Sequence, residues 1–151
     1  PTPIRPGGPA LLAGAMGPKS IARCSHWADG LYAWSGNGER EELARTFDMA
    51  DAAWDRAGRD QKPYRLGGFW YSLADNGPQK LYDYVYEYLA IAGPEIATMM
   101  AESVHRSSAD AVTAALDNAE AAGCEEVFLV PATAELAEIE RLCEVLNRRQ
   151  G

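Results

Sequence analysis

A chain of 151 residues, 47% hydrophobic and 24% charged, is long enough for one domain with a buried core. Its net charge of −8 argues against nucleic acid or an anionic membrane surface as the main partner. No stretch approaches the roughly 18 consecutive apolar residues of a membrane-spanning helix.

The three cysteines, Cys24, Cys124 and Cys143, are far apart and each falls inside an expected strand or helix. Reduced thiols and a cytoplasmic location are therefore expected, rather than a disulfide or zinc framework. Residues 1–9, PTPIRPGGP, read as a linker or entry loop. The chain opens without Met and meets its first strand almost at once, so a piece of a longer polypeptide is expected, with residues 10–151 as its folded part.

Leu11 to Trp34 organises the rest. Leu11, Leu12 and Ala13 are a short apolar run, as in a strand buried on both faces. Gly14 and Gly17 bracket a tight turn, and Pro18 suits the first position of a helix. Ile21, Cys24, Ser25 and Ala28 give that helix its inward face, and Asp29-Gly30 stops it. Leu31 to Trp34 is the next strand, and Ser35-Gly36-Asn37-Gly38 a second small polar loop. A Gly turn feeding a helix start presents free backbone N–H groups and the positive end of the helix dipole, where phosphates bind well. If the two strands are parallel neighbours, Met16-Gly17 and Ser35-Gly36 can hold one phosphate between them. The plainer reading is a pair of ordinary strand-to-helix loops.

Gly38 to Gly58 predicts a helix with Glu39, Glu41 and Glu42 in its first turn and an apolar stripe of Leu43, Phe47, Ala50, Trp54 and Ala57. Tyr64 to Leu73 predicts the third strand, where Gly67-Gly68 implies a bend or a group lying against the backbone. After the turn Asp75 to Pro78 comes a helix with Leu81, Val85 and Leu89 on one face. Gly93-Pro94 breaks it, and a short helix from Glu95 to Glu102 carries Ile96, Met99 and Met100. Its Tyr and Met residues either line an apolar pocket or pack a helical insertion, about 75–106, onto the surface. Ser107 and Asp110 form a capping pair. Val112, Ala115, Leu116 and Ala119 face inward on the next helix. EVFLVP, 126–131, is a fourth strand with the continuous apolar run of parallel sheets. Thr133 caps the last helix, with Leu136, Ile139, Leu142, Cys143 and Leu146 inward.

This βα alternation predicts an α/β fold with a parallel sheet and right-handed crossovers. Four such units are half of an eight-stranded (β/α) barrel. Gly17-Pro18-Lys19-Ser20 is not a nucleotide P-loop, because Pro18 lacks the N–H the phosphate cradle needs, and Gly14-x-x-Gly17 is not a dinucleotide fingerprint. His26 and His105 have no metal-ligand spacing, so no metal site is expected.

Ala13-Gly14-Ala15-Met16-Gly17-Pro18-Lys19, Trp27-Ala28-Asp29-Gly30, and the run from Gly123 to Pro131 together resemble the C-terminal half of the luciferase-like monooxygenase family. These are flavin- or deazaflavin-dependent oxidoreductases built on a (β/α)8 barrel. The resemblance covers nearly the whole chain but about half of a family member. It implies a cofactor phosphate held at Gly14, Ala15, Met16, Gly17, Ser35 and Gly36, with FMN as cofactor or, alternatively, a deazaflavin coenzyme, and a small organic substrate. It also places the acid/base and ring contacts mostly in the other half, so no catalytic residue is assigned and the isolated chain is expected to lack turnover. The competing reading is a non-catalytic half-barrel that binds flavin or phosphate or serves as an association module. Four strands leave two open edges and an inner face with Leu12, Leu66, Phe128 and Val130 on its strands. Either the N-terminal half of the barrel or a second copy is expected to cover them.

Overall fold

A computed structural model describes Ile4 and residues 8–150, apart from the side chain of Gln150. Most of the expected entry loop at 1–9 thus lies outside the described residues. The elements run β1 (Leu12–Gly14), α1 (Pro18–Cys24), β2 (Gly30–Trp34), α2 (Arg40–Arg56), β3 (Tyr64–Tyr71), α3 (Gly77–Leu89), a 3₁₀ turn at Ala90–Ala92, α4 (Pro94–Ser103), α5 (Ala109–Ala121), β4 (Glu126–Pro131) and α6 (Leu136–Gln150). The four strands form one parallel sheet in the order β1-β2-β3-β4. Parallel neighbours need a crossover, and here helices supply each one. Four βα units side by side make a half-barrel, with α3 and α4 standing between β3 and its crossover helix α5.

The register sorts side chains into two faces, since successive strand residues point opposite ways. One face carries the rows Ala13–Leu31–Arg65, Ala33–Gly67–Val127 and Phe69–Leu129. Helices cover it. Ala13, Ile21, Leu31, Ala50 and Trp54 pack beneath α1 and α2; Ala33, Leu43, Phe47 and Ala119 join α2 to α5; Phe69, Tyr71, Val112, Leu142 and Val145 join the sheet to α5 and α6. The α2 stripe forms as its spacing predicts, with Leu43, Phe47, Ala50 and Trp54 all buried. The other face carries Gly14–Tyr32–Leu66–Glu126, Trp34–Gly68–Phe128 and Trp70–Val130. Helices cover its C-terminal end, where Leu81, Val85, Ala101 and Val104 of the α3–α4 region pack on Trp70 and Trp34.

Several local expectations shift. α1 ends at Cys24, and residues 25–28 form a turn in which Trp27 and Ala28 both donate to the Cys24 carbonyl. Ser25 and Ala28 stay buried, while His26 is exposed. Cys124 precedes β4 rather than lying within an element. Ser108, not Ser107, caps α5, accepting from Ala111 N–H at 3.2 Å. Thr133 Oγ1 accepts from Glu135 N–H at 3.4 Å, a turn ahead of α6 rather than its cap. On α6, Leu142 is buried, but Leu136 is 72% and Ile139 43% exposed, Cys143 is also exposed, and Glu138 and Val145 are buried instead. The reason is position: β4 is the sheet edge, so no further unit flanks α6 on its far side. Ile96 and Met99 are likewise exposed, and Ala97 and Ala101 take the buried face of α4.

Candidate functional site

The β1–α1 and β2–α2 loops lie at the same, C-terminal, edge of the sheet, and they differ in kind. The first is open. Gly14 ends β1, Ala15 is buried and Met16 is 71% exposed. Gly17 is the residue before the helix, in extended conformation at φ −106° and ψ 153°, with Pro18 opening α1. A Cβ at Gly14 would meet nothing within 4 Å, and one at Gly17 only Ser20 Oγ at 3.7 Å. The Gly17 carbonyl accepts from Ser20 Oγ at 2.8 Å and from Ile21 N–H at 3.0 Å. The backbone here faces open space, with the exposed Lys19 and Ser20 at the helix start.

The second loop is closed. Ser35 is 1% exposed. Its hydroxyl donates to Glu42 Oε2 at 2.6 Å and accepts from Glu39 N–H at 2.9 Å. Its N–H donates to the Gly68 carbonyl at 3.1 Å. The Ser35 side chain is therefore committed to the start of α2, where Glu39, Glu41 and Glu42 also set a negative potential. Gly36 has only backbone to offer; a side chain there would face Val104 at 3.6 Å and Trp70 at 3.9 Å. Asn37 is the clasp of this loop. Its Nδ2 donates to the Ser103 carbonyl at 2.7 Å, its Oδ1 accepts from His105 N–H at 2.8 Å, and its carbonyl accepts from Arg106 Nε. Arg106 then pairs with Glu39 at 2.7 Å. The β2–α2 loop is thereby fixed to the chain leaving α4.

Below and beside these loops, the concave face carries a continuous row of rings. Phe128 lies 5.8 Å from Tyr32, Tyr32 6.1 Å from Trp34, Trp34 4.5 Å from Trp70, and Trp70 5.8 Å from Tyr88 of α3. Most meet edge to face, the preferred arrangement of aromatic pairs. The Tyr32 phenol is held above its ordinary pKa, first by burial and then by the nearby Tyr88. Among the described residues, no group of three or more His, Cys, Asp or Glu is placed to share a metal ion, and no helix is long and apolar enough to cross a membrane.

No protein-family model matches this sequence, and no curated protein does. Solved structures match it well. An F420-dependent secondary alcohol dehydrogenase in complex with an F420–acetone adduct superposes with a TM-score of 0.65 at 18% identity, over 90% of this chain and 47% of that one. The monooxygenase RslO1 from Streptomyces bottropensis gives 0.58 at 18% identity, over 97% and 50%. The coenzyme F420 dependent tetrahydromethanopterin reductase from Methanopyrus kandleri gives 0.59 at 13% identity, over 91% and 48%. This chain has their fold. It spans about half the length of each.

Within that shared fold, the six positions singled out from sequence divide. Gly14, Ala15, Met16 and Gly17 form the open loop, while Ser35 and Gly36 belong to the closed one. Sequence reasoning missed Tyr32 and Trp34 as site-facing residues, and missed Asn37 and Arg106. The signal for the first two was present: alternation in β2 puts Tyr32 and Trp34 on one face and Leu31 and Ala33 on the other.

Proposed function

We propose that this chain is the C-terminal half of a luciferase-like flavin- or deazaflavin-dependent oxidoreductase, completed to an eight-stranded barrel by an N-terminal half. The carrying observation is that 90% of the chain superposes on only 47% of an F420-dependent dehydrogenase. The A-G-A-M-G-P-K and A-D-G segments add to it, since they resemble that family's pattern. Among the described residues both sheet edges, β1 and β4, are unpaired, as in a half that joins another half. A second copy is the competing partner.

The open loop fits a coenzyme phosphate. Gly14 and Gly17 leave their backbone approachable, and the start of α1 supplies positive dipole and free N–H groups. The closed loop fits less well, because the Ser35 hydroxyl is already used and carboxylates surround it. The phosphate contact is therefore assigned to Gly14, Ala15, Met16 and Gly17, with Gly36 contributing backbone alone. Two of the similar structures are described as F420-dependent, which favours a deazaflavin over FMN. A coenzyme bound there would supply hydride transfer to or from a small organic molecule. The residues of this chain anchor its phosphate end and wall the reaction site with rings that exclude water.

The test is Gly17→Val in the completed protein. The Cβ of the new side chain would meet only Ser20 Oγ at 3.7 Å, and Gly17 already holds an extended backbone that valine adopts, so stability should hold. Coenzyme affinity should fall about tenfold or more, a loss on the order of 1.4 kcal/mol. Unchanged affinity for both F420 and FMN would overturn the assignment.

A further inference from the structure

Along the outer flank of α2, away from the sheet, runs a groove of about 580 Å³. Half-buried Ala44, Met49 and Ala52 line it together with Pro18 of α1, and four exposed charges rim it: Glu41, Arg45, Asp48 and Arg56. Their spacings of four, three and eight set them in one stripe down the helix. None of the four makes an ion pair with any described residue. Elsewhere on the same helix Asp51 and Asp55 are paired, with Arg65 and Lys62. Glu41 and Arg45 even stand at the spacing that lets neighbours on a helix pair, and they leave it unused. Read from the start of α2, the signs run negative, positive, negative, positive. Read from its end, they run positive, negative, positive, negative. The stripe is therefore complementary to an antiparallel copy of itself, as a two-fold contact between identical subunits requires.

We propose that the outer flank of α2 is a docking surface for a second copy of this chain. The two α2 helices lie antiparallel about a two-fold axis near Asp48. Glu41 then comes opposite Arg56 of the partner subunit. Arg45 faces the small Ala52 of the partner subunit, one turn from Asp48 of the partner subunit, a distance its long side chain spans. At the centre two arginines and two aspartates alternate, so neither aspartate is left facing only its own kind. A helix of 17 residues is about 25 Å long. Two such flanks bury on the order of 1,000 Å² in total, at the low end of specific interfaces, so the dimer is weak and depends on concentration. The contact uses neither the sheet edges nor the concave face. It forms whether or not an N-terminal half completes the barrel, and it is independent of the oxidoreductase reading.

Sedimentation equilibrium of the chain over about a hundredfold range of concentration should show a reversible monomer–dimer equilibrium that weakens as salt is added. Glu41→Arg sets like charges opposite each other at both ends of the contact and should weaken dimerisation about tenfold or more. Arg56→Glu should do the same. Combining the two restores opposite signs and should bring the affinity back to within about threefold of the unaltered chain. Glu41 and Arg56 also sit near the helix ends, where the dipole favours the native charges. Ala52→Gln avoids that complication: it lies inside the helix, fills the groove and should weaken the dimer about tenfold. All three positions lie outside the buried core, so thermal melts should show the fold kept. A monomer throughout the concentration range overturns the proposal. A dimer that neither Glu41→Arg nor Ala52→Gln weakens also overturns it, because association then runs through the strand edges or the concave face. A double variant no tighter than the single ones overturns the pairing of Glu41 with Arg56, and with it the proposed contact.

Discussion

The two faces of this sheet come from the same four strands and have opposite surroundings. The convex face is shut: Leu31, Phe69 and Tyr71 are fully buried under α1, α2, α5 and α6. On the concave face helices cover only the C-terminal end, through the α3–α4 region, and farther along Phe128 remains half exposed. Parallel sheets are normally covered on both sides. The contrast therefore separates two jobs within one half-barrel: the convex face holds the chain together, and the concave face is reserved for what completes or fills it.

The sharpest test of that contrast compares one phenylalanine on each face. Phe69→Ala removes a fully buried ring and should cost about 3–5 kcal/mol in denaturant unfolding. Phe128→Ala removes a ring that is already 49% exposed and should cost about 1 kcal/mol or less in the chain alone. Once the N-terminal half is supplied, the Phe128 cost should rise. Equal costs in the isolated chain would mean that the concave face is already covered there, by a second copy.

The adjacent glycines of β3 repeat the comparison on a smaller scale. A Cβ at Gly67 would sit 2.7 Å from Cys124 Sγ, within the cluster built by Leu43, Phe47 and Ala119. Gly67→Ala should cost about 1–3 kcal/mol, as overpacking of a closed core does. A Cβ at Gly68 would meet Tyr32 instead, whose ring borders open space and can turn aside. Gly68→Ala should cost less, about 1 kcal/mol, in thermal melts, and should displace Tyr32. A larger penalty at Gly68 would show that Tyr32 is wedged rather than merely leaning.

Sequence patterns reached the convex face well and the concave face poorly. The α2 stripe is local and periodic, so it announces its burial, whereas the apolar run of β4 marks a strand with no fully buried residue, because it stands at the sheet edge. The Gly67-Gly68 pair correctly implied that something lies against the strand, but not that Cys124 and Tyr32 do so from opposite sides. The inward face of α6 was misjudged because its burial depends on a neighbour beyond β4 that this chain does not provide. That the Ser35 hydroxyl is engaged by Glu39 and Glu42 is recognisable only once α2 is placed. Asn37 was illegible for a stronger reason: its partners, Ser103 and His105, lie more than sixty residues away, and no local pattern encodes such a clasp.

The smallest expected effect is alkaline. Two titratable groups are closed into the convex face. Burial pushes the Cys124 thiol from its ordinary 9.0 up to about 11, partly offset by Arg65. Burial, then Glu138 and Cys143, push the Tyr71 phenol from 10.0 up to about 12. Both stay neutral in the fold over a range in which the unfolded chain has already ionised. The unfolded chain then binds fewer protons, so stability falls as pH rises. Nothing is lost below about pH 9. The Cys124 contribution should go first, between about pH 9 and 11, and that of Tyr71 next, between about 10 and 12. Each is on the order of 1 kcal/mol after allowance for water at these partly screened sites. Cys124→Ala removes the ionisable group and should move the onset of alkaline destabilisation up by about one pH unit in melts followed across this range, leaving the Tyr71 step. An onset that does not move would mean that the thiol is as accessible to water folded as unfolded, and the convex face less tightly closed around β3 than its packing implies.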